Sequence, residues 1–221
     1  LTMPSTGTYA TAFYGCTGLE TVALPDGLTE IAARAFSGCS KLASVRLPST
    51  LTSIGEYAFY DCKALADVVV PEKITTLSRS LFAGCTGLKS VTIPAGVKTI
   101  DSGTFNKCSA LESIELPEGL TTLGSQAFMN CSALKSVRIP DGVTAIPNET
   151  FAYCSVLETV ELPSALKTIG NMGFYKNNAL RSISFPETLE TIGTNSFDEC
   201  HSLADVTIDI PVVTDYSFRD C

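Results

Sequence analysis

Nine cysteines, a single histidine and a set of acidic residues are the groups of this 221-residue chain with the means to do chemistry. Cysteine thiolates bind zinc, pair as disulfides or act as nucleophiles. Cys200 and His201 adjoin in sequence, which raises a nucleophile with its base. Glu115 and Glu161 hold equivalent positions, which raises the carboxylate pair of a glycoside hydrolase.

The spacing of these residues argues against each reading. Cys16, Cys39, Cys62, Cys85, Cys108, Cys131 and Cys154 recur every 23 residues, and after Asn177 the column resumes at Cys200 and Cys221. Phenylalanine keeps the same period from Phe13 through Phe36, Phe59, Phe82, Phe105, Phe128, Phe151 and Phe174 to Phe197, and proline keeps it from Pro25 to Pro186. A unit this short cannot bury its own core and must stack on its neighbours as a solenoid. Cysteines on successive rungs have Cβ atoms about 5 Å apart, against about 3.8 Å in a disulfide. No Cys-x-x-Cys pair of the kind common in zinc sites is present within a rung. Buried, reduced thiols acting as small hydrophobes are therefore the expectation, with adjacent disulfides and a metal as alternatives. His201 occupies the position of Ser40, Lys63 and Thr86, on the opposite side of the wall from Cys200, and Glu115 and Glu161 are two rungs, near 10 Å, apart.

Stepping outward from these side chains, the elements that position them follow from period. In Ser44-Val45-Arg46-Leu47-Pro48, apolar and polar residues alternate as in a half-buried strand, and the proline ends it. Nine such strands stack into a parallel sheet roughly 40 Å long. A turn follows, as at Asp26-Gly27, then a second extended stretch with Leu28 and Ile31 inward. On the return side, Phe36, Cys39 and Leu42 are spaced by three, which predicts a short helical or 3₁₀ turn.

The unit L-x-x-V/I-x-I/L-P-x-x-L/V-x-x-I-G-x-x-A-F-x-x-C resembles the surface-adhesin-like class of leucine-rich repeats, and Leu111 to Cys131 match it nearly throughout. The resemblance implies a right-handed superhelix with one parallel β-sheet face and short helical or extended return segments. It also implies a secreted or surface-displayed protein that binds host matrix or other cells, and it brings no catalytic residue. The expected organisation is one domain over residues 1–221, about nine units, cut from a longer protein because both ends interrupt the repeat. Gly173 and Asn177 depart from the pattern, as does the final unit, where Ile208 keeps register, Pro211 is late and two residues are lost between Val212 and Phe218.

Composition narrows the function. A formal charge of -8 without a Lys/Arg cluster excludes nucleic acid as partner. No apolar run approaches the roughly 20 residues that span a membrane, and no signal peptide is visible. No cofactor or metal is expected, and no acid, base and nucleophile converge, so the chain is read as non-enzymatic. Binding falls to positions the repeat leaves free: Arg46, Val69, Thr92, Glu115, Arg138, Glu161 and Ser184 form one outward column on the strand face, continued by Ala23 and Thr207. Thr21, Ser44 and their small polar equivalents flank it. Such a face suits a protein or a cell-surface or matrix ligand, in an extracellular or cell-surface setting. The alternative is a spacer that displays another domain and binds nothing itself. A monomer suffices for either, and the sequence leaves the oligomeric state open. Tyr14, Tyr60, Tyr153 and Tyr175 on the return side are read as scattered packing groups. Asn130-Cys131-Ser132 and Asn148-Glu149-Thr150 are sequons.

Overall fold

The computed structural model describes residues 11–206 and 212–221. Each 23-residue unit makes one rung of a parallel solenoid. Its alternating segment forms a first ladder, in which Thr21–Val22 pairs with Ser44–Val45, Asp67–Val69 with Ser90–Thr92, Ser136–Arg138 with Thr159–Glu161, and Ser182–Ile183 with Asp205–Val206. The second extended stretch is a ladder too. There Thr76–Leu77, Thr99–Ile100 and Thr122–Leu123 pair in series, as do Ala145–Ile146, Thr168–Ile169, Thr191–Ile192 and Val212–Val213. The molecule is thus a parallel β-solenoid with two strand walls where one sheet face was expected.

Among the described residues, the return segments are extended chains of turns without a helix. Spacing by three does give backbone bonds, from Cys39 N–H to the Phe36 carbonyl (3.1 Å) and from Leu42 N–H to the Cys39 carbonyl (3.0 Å). A helix cannot propagate through them because residues two before and two after the phenylalanine are left-handed, as at Arg34 (φ 59°) and Gly38 (φ 78°), or Gln126 (φ 61°) and Asn130 (φ 62°). A non-glycine residue in that region costs about 1–2 kcal/mol. The conformation aims its N–H at the next rung: Arg34 donates to the Glu56 carbonyl at 2.9 Å, Phe36 to Ala58 at 2.9 Å and Gly38 to Tyr60 at 2.7 Å. These inter-rung bonds offset the strain.

Inside, the phenylalanines form a continuous stack from Phe13 to Phe218, with centroids 5.1–5.8 Å apart and planes within 2–16°. Rungs approach closely enough to select glycine. A Cβ on Gly124 would lie 2.2 Å from Ser102 N, and one on Gly55 would lie 2.4 Å from Ala33 N.

Register corrects one expectation. Ile183 pairs with Val206 at the usual offset of 23, but Thr191 already pairs with Val212 at an offset of 21. The two missing residues therefore fall between Val206 and Val212, not after Val212, because the pairing offset has already changed where the second ladder resumes. Thr207, Ile208 and Pro211 lie outside the described residues, as does Leu1.

Candidate functional site

The cysteine column is built into the phenylalanine wall. All nine cysteines are free thiols, and each from Cys39 onward donates its S–H to the carbonyl of the phenylalanine one rung earlier, at 3.1–3.3 Å. That carbonyl also accepts a backbone N–H from its own rung, as Phe36 does from Cys39, so the thiol fills its second acceptor site. At the departure from the pattern, Asn177 Nδ2 takes over this bond to the Phe151 carbonyl at 3.0 Å, while its buried Oδ1 lacks a partner. Asparagine is thus a functional replacement for cysteine here, with one unsatisfied acceptor as its cost.

Burial also removes reactivity. Loss of hydration pushes the Cys39 thiol up to about 11 and the Cys154 and Cys200 thiols up to about 12. None supplies a thiolate near neutral pH. Cys200 bonds the Phe174 carbonyl inside the wall, whereas exposed His201 sets Nδ1 2.9 Å from the Asp220 carbonyl, so the pair diverges. Among the described residues, no group of three or more His, Cys, Asp and Glu side chains could hold a metal ion.

The outward column is where the sequence placed it. Arg46, Val69, Thr92, Glu115, Arg138, Glu161 and Ser184 are all exposed, and so is the flanking column from Thr21 to Asp205. Val69 stands out, an aliphatic side chain with 64% of its surface in water. Beneath these columns Val45, Val68, Val91, Ile114, Val137 and Ile183 point inward and are buried. The first ladder is interrupted, and shallow clefts open where pairing lapses, one lined by Ser90–Ile93 and Ser113–Glu115, another by Thr159–Leu162 and Ser182–Ser184.

Charges on this face are unevenly distributed. Arg138 bridges Glu118 and Glu161, the latter at 3.7 Å. Sequence reading passed over a neighbouring column in which Glu112 meets Lys135 at 3.2 Å and Glu158 meets Arg181 at 3.8 Å. Its signal was available as alternating sign at the same 23-residue period. Arg46, by contrast, makes no ion pair among the described residues.

Two features of the return side were also missed. Tyr153 and Tyr175 touch edge to face at 5.3 Å beneath Lys176, and Tyr175 donates its hydroxyl to Glu199 at 3.0 Å. These rings are a cluster, not scattered groups. Asp198, in the column of exposed Tyr14 and Tyr60, is fully buried and paired with Arg219, whose Nε lies 3.0 Å from Oδ1. Of the sequons, Asn148 uses its Oδ1 to accept the Asn171 N–H at 2.9 Å, while Thr150 is buried with its hydroxyl on the Pro147 carbonyl.

A family model described as the BspA type leucine rich repeat region matches in 6 copies over residues 6–131 and 98–221. The chain belongs to the BspA-type leucine-rich repeat family. Similar solved structures include a leucine-rich repeat protein of T. pallidum, 28% identical over 93% of this chain and 78% of that one, with a TM-score of 0.53. A leucine-rich cell surface protein of Faecalibacterium prausnitzii A2-165 is 23% identical over 94% of this chain and 76% of its own, with a TM-score of 0.58, a likeness of fold. A leucine-rich repeat protein of Bacteroides ovatus ATCC 8483 is 29% identical over 100% of this chain and 76% of its own, with a TM-score of 0.49. Comparison with curated proteins gives no match. As a BspA-type repeat the chain is a non-catalytic scaffold: its phenylalanine, cysteine and proline columns are consumed by stacking, which leaves the strand face as its candidate site.

Proposed function

We propose that this BspA-type chain is a recognition module of a secreted or cell-surface protein, and that it binds a protein or matrix ligand through the strand face. The observation that carries this reading is the column from Arg46 to Ser184, exposed and varied in chemistry over a frame whose inward columns recur from rung to rung. Its N-terminal part offers the guanidinium of Arg46, which makes no ion pair among the described residues, the exposed aliphatic Val69 and the hydroxyl of Thr92 within three successive rungs. A cation next to an apolar contact and a hydrogen-bonding group can orient one extended ligand. A surface location fits the resemblance to displayed members of the family, and no helix among the described residues is long and apolar enough to cross a membrane. The domain organisation that goes with this reading is a single leucine-rich repeat domain over residues 1–221, of about nine 23-residue units with the last one irregular.

The experiment is adhesion of the chain to an immobilised extracellular-matrix extract, with Arg46→Glu combined with Val69→Asp as the variant. Recognition requires saturable binding that falls at least roughly tenfold in the variant, the size expected for losing a central contact. Absence of binding, or binding that the variant leaves untouched, favours the spacer. The spacer has one observation on its side: on the C-terminal part of the face, Glu112 with Lys135, Arg138 with Glu161 and Glu158 with Arg181 are already paired within the chain.

A further inference from the structure

Glu112, Lys135, Glu158 and Arg181 hold matching positions on four successive rungs, alternate in sign and are exposed. Three residues along the middle two of these strands, Arg138 and Glu161 repeat the alternation. Although these six side chains contact one another within the chain, each keeps 50–75% of its surface in water, which leaves room for a second partner. The order Glu, Lys, Glu, Arg has a further property. Laid against its own reverse, every position meets the opposite sign.

A two-fold axis produces that reversal when it runs parallel to the strands, in the plane between two facing copies. Such an axis inverts the order of the rungs and keeps each column over its own equivalent, as a self-complementary dimer interface requires. We propose that the C-terminal half of the strand face packs against the same half of a second copy of this chain, with the axis between the rungs of Arg138 and Glu161. Lys135 then faces Glu158 of the partner subunit, Glu112 faces Arg181 of the partner subunit, and Arg138 faces Glu161 of the partner subunit. Each contact occurs twice by symmetry, and neither column contains a like-sign contact. An axis one rung earlier also alternates, but along the turn edge it opposes Glu118 to Asp141 and Glu72 to Glu187. The chosen register retains only the Glu118 and Glu187 contact there.

The rungs from Lys89 to Asp205 overlap in this arrangement. At about 4.8 Å per rung and about 20 Å of strand width, the overlap buries roughly 1,100 Å² in total, near the lower bound for a specific interface. The net charge of -8 on each copy works against association. The expected dimer is therefore weak and held in register by charge rather than by apolar area. Of the outward column, Arg46 and Val69 lie outside this overlap while Thr92 to Ser184 lie within it, so the two proposals share part of the face and are told apart at Arg46 and Val69.

Sedimentation velocity over a concentration series tests it with two charge-reversed variants. Lys135→Glu with Arg138→Glu places carboxylates against Glu158 and Glu161, and Glu158→Lys with Glu161→Lys places cations against Lys135 and Arg138. The wild-type chain is expected to dimerise reversibly, and each variant alone to associate at least roughly tenfold more weakly. An equimolar mixture of the two variants is expected to dimerise again, because opposite signs then face across the axis in both directions. Should a double reversal disturb folding by circular dichroism, the single reversals Lys135→Glu and Glu158→Lys carry the same test. A wild-type chain that stays monomeric, association indifferent to both reversals, or variants that fail to associate when mixed would each overturn the proposal. The Arg46→Glu, Val69→Asp variant keeps the dimer, which separates this result from that of the adhesion assay.

Discussion

The phenylalanine-cysteine wall and the strand face are built from the same 23-residue unit, yet they use their polar groups in different ways. Along the wall, left-handed residues send N–H groups to the next rung, thiols fill the remaining acceptor sites, and the ring stack runs unbroken from Phe13 to Phe218. On the strand face the ladder lapses between several rungs, clefts open there, and side chains project into water. Apart from orphaned acceptors such as Asn177 Oδ1, the wall is satisfied within the chain, so its residue types are constrained. The face is satisfied by solvent, so its residues are free to serve a partner. Within the face the same contrast recurs in smaller form: from Glu112 to Arg181 the charges meet one another, whereas Arg46 and Val69 meet water.

The sharpest way to break this comparison is to remove one ring of the stack. Phe105 is fully buried between Phe82 and Phe128, and Phe105→Ala is expected to lower stability by about 3–5 kcal/mol, read from urea unfolding. A loss below about 1 kcal/mol would mean that the wall is not the stabilising element.

Alkaline titration probes the same wall through its thiols. Their folded-state values are raised, so the neutral form is the one the fold favours. Their contribution is complete below the ordinary value of 9.0 and is lost as pH climbs toward about 12 for Cys154 and Cys200. The urea midpoint is expected to fall above pH 9.0, and to fall less steeply in a Cys154→Ala, Cys200→Ala variant. Equal slopes would assign the alkaline loss to other groups. The smallest effect belongs to the face, where Val69→Thr is expected to change stability by less than about 0.5 kcal/mol on the same unfolding curve.

Much of the architecture was legible in the sequence because stacking forces identical side chains into identical sites. Phe36, Cys39, Leu42 and Val45 could be assigned inward from period alone, and they are buried. The second ladder was only half legible: Leu28 and Ile31 read as inward, but whether the chain around them pairs with the next rung depends on backbone spacing. The return segment was legible only as a choice between short helical and extended, and the extended form is the one adopted, because spacing by three suits a helical turn as well as successive β-turns. Residues such as Arg34, Tyr57, Glu149 and Met172, which take the left-handed conformation, carry no glycine or asparagine signal to distinguish the two. At the candidate site, exposure of Arg46 to Ser184 followed from alternation, while pairing along the Glu112 to Arg181 column depends on how far side chains reach across rungs, which alternation does not fix.

By itself, then, the sequence determined the period and the inward columns, since each of these depends only on which residues recur at a fixed interval. The tertiary structure decided which carbonyl each thiol meets, where the two-residue loss is absorbed, and which charges of the strand face already have partners. Those depend on distances between rungs, and a distance of a few ångströms between residues 23 apart is set by how the rungs stack, not by the letters within any one of them.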